Sequence, residues 1–180
     1  MRQVLITGAS SDIGLAICRQ YLDHKYKVVA HFNRGRHALT ELNKSSKNFQ
    51  LLQIDFSDTL GLEVAITEQL SLLQKTDVLI NAAAHFEARP FAEISTQSVL
   101  DAISINVIPG LLLMKAIAPA MSERDWGRIV NLSSIGVQFG GGSSSFCYAL
   151  SKHSMEFLPS DHKEWAGHNV LVNSLRVGVT

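Results

Sequence analysis

Gln3-Val4-Leu5-Ile6-Thr7-Gly8-Ala9-Ser10-Ser11-Asp12-Ile13-Gly14 is the stretch whose reading decides the fold. An apolar run of strand length enters a turn at Gly8 and passes straight into a helical pattern from about Ile13. Such a turn lets backbone N–H groups approach a pyrophosphate, and the helix N-terminus behind it favours the negative charge. Gly–Ser turns open many helices, so the turn gains its weight from what surrounds it.

Working outward, short β-branched runs alternate with longer amphipathic stretches. The runs are Gln3–Thr7, Lys27–Phe32, Phe49–Ile54, Val78–Asn81, Arg128–Leu132 and Val170–Leu175. The helical stretches are Ile13–His24, His37–Ser45, Leu60–Gln74, Ser95–Met121 and Tyr148–Ala166. Strands that are apolar throughout have both faces covered, as in a parallel sheet. The order predicts an α/β fold: a doubly wound parallel sheet in a three-layer α/β/α sandwich, formed by residues 1–180 as one domain. Gly140-Gly141-Gly142-Ser143-Ser144-Ser145 has linker composition, but the elements on both sides fit one sheet. It reads as a mobile loop ahead of the Tyr148 helix.

A chain of 180 residues with 46% hydrophobic and 18% charged content suits one well-buried core. Its formal net charge of zero gives no electrostatic case for nucleic acid or an anionic membrane as partner. Arg34, Arg36 and His37 cluster locally, enough for a phosphate. Cys18 and Cys147 form neither a disulfide framework nor a zinc spacing, and the seven histidines lack ligand spacing, so no metal is expected. Ile103–Met121 is the most apolar stretch, but Asn106, Pro109 and Lys115 interrupt it, which argues against a membrane span. Met1–Thr7 has no leader-like pattern, and a reducing, cytoplasmic setting is expected.

Tyr148-Ala149-Leu150-Ser151-Lys152 places a phenol and an amine at i and i+4, on one face of a helix. A free tyrosine titrates near ~10. A neighbouring cation lowers that value and suits the phenol to acid–base work. Taken alone, the pair is an ordinary helix surface. Asn106 lies in an apolar helical stretch, and Pro109 removes a helical N–H and frees the Ile105 carbonyl, which predicts a kink. The kink suits a water site beside Asn106, or itself satisfies the amide. His31-Phe32-Asn33-Arg34, ending the second run, offers no acid for ribose hydroxyls but an arginine for a 2′-phosphate, which predicts NADP(H). The plainer reading of Arg34 and Arg36 is a solvated helix start. Pro159 frees the Met155 carbonyl and predicts a bend or an end to the Tyr148 helix downstream of Lys152.

Together these residues resemble the short-chain dehydrogenase/reductase family. The turn is similar to its T-G-x-x-x-G-x-G loop, and Asp77-Val78-Leu79-Ile80-Asn81-Ala82-Ala83-Ala84 to its D-V-L-V-N-N-A-G. Asn106, Asn131-Leu132-Ser133-Ser134 and Tyr148 with Lys152 follow in family order, so the resemblance spans nearly the whole chain. It implies a Rossmann-like fold and reversible hydride transfer between NADP(H) and a small-molecule carbonyl or secondary alcohol, as in 3-oxoacyl-thioester reductases and simple ketoreductases. Tyr148 is implied as general acid/base, Lys152 as its activator and a ligand of the nicotinamide ribose, Ser134 as the holder of the substrate oxygen, and Asn106 as the anchor of a relay water. Ser133 reads as a strand-end hydroxyl satisfied by backbone. For the cofactor, the resemblance implies Gly8, Ser10, Ser11, Asp12, Ile13 and Gly14 at the pyrophosphate, and Asn33 with Arg34 at the 2′-phosphate. Asp55 is implied at the adenine with Phe56 beside it, then Asn81, Ala82 and Ala83, and Thr180 at the nicotinamide amide. The plainer reading of Asp55 is a cap for the Leu60 helix.

The chain also departs from the pattern. Asp12 replaces the middle glycine of the loop; it is expected to cap the helix from Ile13 and tolerates left-handed backbone, but its charge repels a pyrophosphate unless it points into solvent. Ala82 and Ala84 replace an Asn and a Gly, and Val177 precedes Gly178 where the family has proline. Family members continue into a substrate-covering helix pair and a seventh strand, so the sequence reads as part of a longer chain. The resemblance further implies a homodimer or homotetramer built through the Asn106 and Tyr148 helices. The competing reading is a non-catalytic dinucleotide-binding or scaffolding module, which Asp12 and the early stop favour. A nucleotide-sugar epimerase would need glycine where Ser11 stands.

Overall fold

The computed structural model describes residues 1–178. Strands β1 (Gln3–Ile6), β2 (Lys27–Phe32), β3 (Phe49–Gln53), β4 (Val78–Asn81), β5 (Gly127–Ser134) and β6 (Val170–Val177) form one parallel sheet in the order β3-β2-β1-β4-β5-β6. The chain starts in the middle, walks outward to β3, then returns to the far side of β1. Val4 therefore sits between Val28 and Val78. Central strands β1 and β4 are buried at every position, whereas edge strand β3 alternates. That is the pattern of a sheet covered on both faces.

Two layers of helix cover it. Helices α1 (Asp12–Asp23) and α2 (Arg36–Ser45) place Cys18 and Leu39 against Val4, Ile6, Val28 and Ile80. On the other face, α3 (Leu62–Glu68), α4 (Leu70–Leu73) and α6 (Ile108–Glu123) pack Leu62, Ile66, Leu73, Leu113, Ile117 and Met121 onto Leu5, Val29, Leu79 and Ile129. Each such fully buried aliphatic contributes ~1.5–3 kcal/mol. The Thr96–Glu123 segment is long and apolar enough to cross a bilayer by composition. Here it breaks at Val107, and its second half packs onto the sheet.

Three of the expected helices are divided. Leu60–Gln74 becomes α3 and α4, parted at Gln69. Ser95–Met121 becomes α5 (Thr96–Asn106) and α6, parted at Val107. Pro109 occupies the first turn of α6, where its missing N–H costs nothing. Tyr148–Ala166 becomes α7 (Phe146–Ser154) and α8 (His162–Gly167), with Pro159 in the connection. The Met155 carbonyl accepts instead from Asn131 Nδ2 at 3.1 Å.

The turns from α1 into β2 and from α6 into β5 share one device. After α1, the Tyr26 N–H returns to the Tyr21 carbonyl at 3.0 Å and the Lys25 N–H to Leu22 at 2.9 Å. After α6, Trp126 returns to Met121 and Asp125 to Ser122 in the same way. These paired bonds make a Schellman motif, whose pivot residue must be left-handed. The pivots are Lys25 (φ 62) and Asp125 (φ 50), and Asn169 (φ 56) stands at the same place after α8. All three are exposed and none is glycine.

Candidate active site

A cleft of about 730 Å³ opens across the C-terminal ends of the strands, where the sheet order reverses between β1 and β4. Ligands of doubly wound sheets bind at that reversal. Of the residues expected from sequence, Gly8, Ser10, Ser11, Ile13, Asn33, Arg34, Phe56, Ala82, Ala83, Ser134, Tyr148 and Lys152 line it. Asp12, Gly14, Asp55, Asn81 and Asn106 do not line it, and Thr180 lies outside the described residues.

Ser11, not Asp12, caps α1: its Oγ accepts the Gly14 N–H at 3.1 Å and donates to the Gly8 carbonyl at 2.9 Å. Asp12 is the first helical residue, exposed, and not among the left-handed positions. A carboxylate in the first turn suits the helix dipole. Gly8 is left-handed (φ +65), and a Cβ there would lie 2.7 Å from Ala83 Cα. Backbone therefore passes backbone at the floor of the cleft, as an anion cradle made of N–H groups requires. Thr7 stitches this crossing, its Oγ1 accepting from Ala82 N–H at 2.9 Å and Ala83 N–H at 3.0 Å.

At the β2 end, Ser10 Oγ donates to the Arg34 carbonyl at 3.0 Å, which ties the loop to the arginine. Asn33 Nδ2 donates to Asp55 Oδ1 at 2.8 Å. The same oxygen accepts from Ser57 Oγ at 2.6 Å and Ser57 N–H at 2.8 Å, and these bonds hold the Asp55 carboxyl below its ordinary pKa. Asp55 is not a helix cap: Asp58 takes the Gly61 N–H ahead of α3, at 3.0 Å.

At the other end lie Ser134, Tyr148 and Lys152. Ser134 closes β5, and its Oγ accepts from Gly136 N–H at 3.1 Å. Lys152 is 2% exposed and donates to the Leu132 carbonyl at 2.7 Å. Burial pushes its amine down from 10.5 to about 8. The Tyr148 phenol moves the other way from the expectation: half-burial raises it above 10.0. Lys152 Nζ is 5.7 Å from the Tyr148 ring centroid and is aimed at Leu132, so desolvation dominates over the cation. Phe86 meets the Tyr148 ring edge-on at 5.3 Å.

Two asparagines differ from expectation. Asn106, 2% exposed, accepts the His85 N–H at 2.5 Å and donates to the His85 carbonyl at 3.0 Å and to Ser151 Oγ at 2.8 Å. Protein groups use both amide hydrogens and one lone pair of the oxygen, so the side chain clamps His85 to Ser151, and it is these groups and not the kink that satisfy it. Asn81 is turned from the cleft, its Nδ2 donating to Asn131 Oδ1 at 2.9 Å beneath Gly110. Ser133 Oγ makes its short bond, 2.6 Å, to the Glu156 carboxylate, and the Lys152 carbonyl lies at 3.3 Å. Glu156 also pairs with Arg176 through two bonds of 2.8 and 2.7 Å, and Arg176 first, then Ser133, hold its pKa down at about 2. The Gly140–Ser145 loop is bonded internally by Gly142 N–H to Ser145 Oγ at 2.7 Å, back to the Gly136 carbonyl by Gly141 N–H at 2.8 Å, and across to Arg89, whose N–H donates to the Ser144 carbonyl at 2.9 Å.

Sequence reading missed Thr7, His31, Ser151 and Glu156. His31 had a usable signal, since a histidine inside an apolar strand must find partners for both ring nitrogens. The others depend on pairings between distant segments.

The short chain dehydrogenase family model matches residues 2–180. This chain belongs to that family. Among its relatives, dehydrogenase/reductase SDR family member 7 of Mus musculus is 30% identical over 170 residues, covering 89% of this chain and 50% of the mouse protein. The 3-oxoacyl-acyl-carrier-protein reductase FabG of Aquifex aeolicus is 26% identical, covering 97% of this chain and 72% of that protein. A short-chain dehydrogenase structure from Streptomyces avermitilis superposes with a TM-score of 0.85 at 27% identity, covering 97% of this chain and 65% of that one. The chain thus spans half of the mouse relative and under two thirds of that structure.

Proposed function

We propose that this chain carries the cofactor site and the catalytic residues of an NADP(H)-dependent carbonyl reductase. One observation carries the reading: Ser134, Tyr148 and Lys152 line the same cleft as the Gly8 turn and Arg34. The bare-backbone crossing at Gly8, which a single Cβ would fill, fits a pyrophosphate. Exposed Arg34, with no acidic residue at the end of β2, supports the 2′-phosphate and hence NADP(H) over NAD(H). When bound, the nicotinamide supplies the hydride.

The chain's own residues do the rest. Ser134 Oγ orients the substrate oxygen. Tyr148, a protonated phenol at neutral pH whose half-burial raises it further, gives that oxygen a proton. Lys152 brings a positive charge beside the phenol, and as pH rises through about 8 that charge is lost. Reduction should therefore slacken above that pH. The FabG relative supports 3-oxoacyl thioesters and simple ketones as the substrate class. Exposed Leu100 on α5 and Phe146 and Leu150 on α7 support self-association through these helices, which sedimentation would test. Two unpaired cysteines suit a reducing, cytoplasmic setting.

The test is NADPH oxidation with a panel of ketones and 3-oxoacyl thioesters, wild type against Tyr148→Phe. Turnover by the wild type and a loss on the order of 10²- to 10⁴-fold in the variant support the reading. NADPH binding with no turnover by either favours the non-catalytic module. Arg34→Ala should weaken NADPH at least ~10-fold and leave NADH nearly unchanged; equal losses would remove the cofactor assignment.

A further inference from the structure

His31 is the penultimate residue of β2, beside the Gly8 turn. It is 3% exposed, yet it is one of the residues that line the cleft. Both ring nitrogens are engaged: Nδ1 with the Gly8 N–H at 3.3 Å and Nε2 with the Ile54 carbonyl at 3.0 Å. A backbone N–H only donates and a carbonyl only accepts. These partners therefore admit a single form of the ring, neutral, with its proton on Nε2 and a lone pair on Nδ1.

The residue grips the turn twice, because its own carbonyl accepts the Ala9 N–H at 2.8 Å. Its ring face stacks on Phe56, a second cleft residue, at 3.9 Å and 10°. Three segments meet on one imidazole: the β1–α1 turn, the end of β2, and the loop after β3. The nearby charges are engaged elsewhere or face solvent. Asp55, between Ile54 and Phe56, bonds Asn33 and Ser57, while Arg34 and Asp12 are exposed. Burial lowers the ring's pKa from 6.5 to about 4, consistent with the neutral form at physiological pH.

We infer that His31 is a positioning residue for the bound dinucleotide: as the acceptor of the Gly8 N–H it fixes the direction of the left-handed Gly8 peptide, which lines the cleft. The inference rests on the dinucleotide reading above. It concerns acceptor chemistry and not packing, and two substitutions separate these. His31→Asn keeps an acceptor near the Nδ1 position but loses the ring. His31→Phe keeps the ring, its volume and the Phe56 stack but loses the acceptor.

The experiment is calorimetric binding of NADP⁺ at pH 7.5 to wild type and both variants, with melting temperatures alongside. We expect His31→Asn to bind within about threefold of wild type and His31→Phe to weaken at least tenfold. His31→Phe binding as well as wild type, or His31→Asn binding worse than His31→Phe, overturns the inference, because a packing role gives that order. Should His31→Phe fail to fold, nitrogen NMR of wild-type His31 decides: a proton on Nε2 alone supports the role, and a proton on Nδ1 overturns it. A wild type that binds no NADP⁺ brings down the dinucleotide reading and this role with it, whereas wild-type binding with an indifferent His31→Phe removes His31 alone.

Discussion

The two ends of the sheet solve the same backbone problem in opposite ways. Among the described residues, every left-handed glycine, Gly8, Gly35, Gly140 and Gly141, follows a strand at its C-terminal end. Every left-handed residue that is not glycine, Lys25, Asp125 and Asn169, precedes a strand at the opposite end. At the cleft end the space is taken at three of the four: a Cβ would press on Ala83 at Gly8, on Ser10 at Gly35 and on Ser145 at Gly141, while Gly140 stands open. At the far end the side chains project into solvent, and only the intrinsic preference of the backbone opposes them. One end is shaped for a ligand and the other merely returns the chain. Substitutions at the first should therefore alter activity, and substitutions at the second should alter stability alone.

The largest break in that division is expected at Lys152. Lys152→Met should reduce turnover on the order of 10²- to 10⁴-fold, yet leave the melting temperature no lower than wild type. Holding the amine at about 8 against an ordinary 10.5 costs the native state about 3 kcal/mol. Losing the bond to Leu132 returns about 1–3 kcal/mol of that. A fall in melting temperature would mean that the buried amine stabilises the fold. Next, Gly8→Ala should destabilise by about 2–3 kcal/mol, and dinucleotide affinity should drop on the order of a hundredfold, read by denaturation and by titration. An unaffected Gly8→Ala would show that the cleft end is less crowded than its distances indicate.

His31 gives the cleft end a pH signature. An unfolded histidine titrates at 6.5 and this one at about 4, so between these values the unfolded chain binds more protons. Stability is therefore complete above 6.5 and is lost as pH falls toward 4, by about 3 kcal/mol in all. Denaturant titrations across that window should show a slope that His31→Asn lacks. The smallest effect belongs to the far end. Lys25→Gly should gain about 0.5–1 kcal/mol with turnover unchanged, and a change in turnover would break the division of labour.

The strands were legible because β1, β2 and β4 are apolar except at Gln3, Lys27, His31 and Asn81, the near-continuous pattern expected of a doubly covered parallel sheet. The turn and the Tyr148–Lys152 pair were legible because their chemistry is local. What escaped was set by distant partners. Asn106 read as a water anchor, but His85 and Ser151 claim its amide from 21 and 45 residues away, and Asn131 claims the Asn81 side chain from 50. The division of α5 from α6 was visible in Pro109 as a kink, but not as a full stop at Val107. The direction of the Tyr148 shift was beyond the sequence too, since i,i+4 spacing fixes a face but not where a flexible amine points.

The Asn106 clamp has a mechanical consequence. One carboxamide grips the backbone of His85, a residue that lines the cleft, and also Ser151, whose hydroxyl donates to the Tyr148 carbonyl at 2.8 Å. Loop and helix are thereby linked in series through stiff bonds with no slack side chain between them. A displacement of His85 is passed, through one amide, to the helix that carries Tyr148.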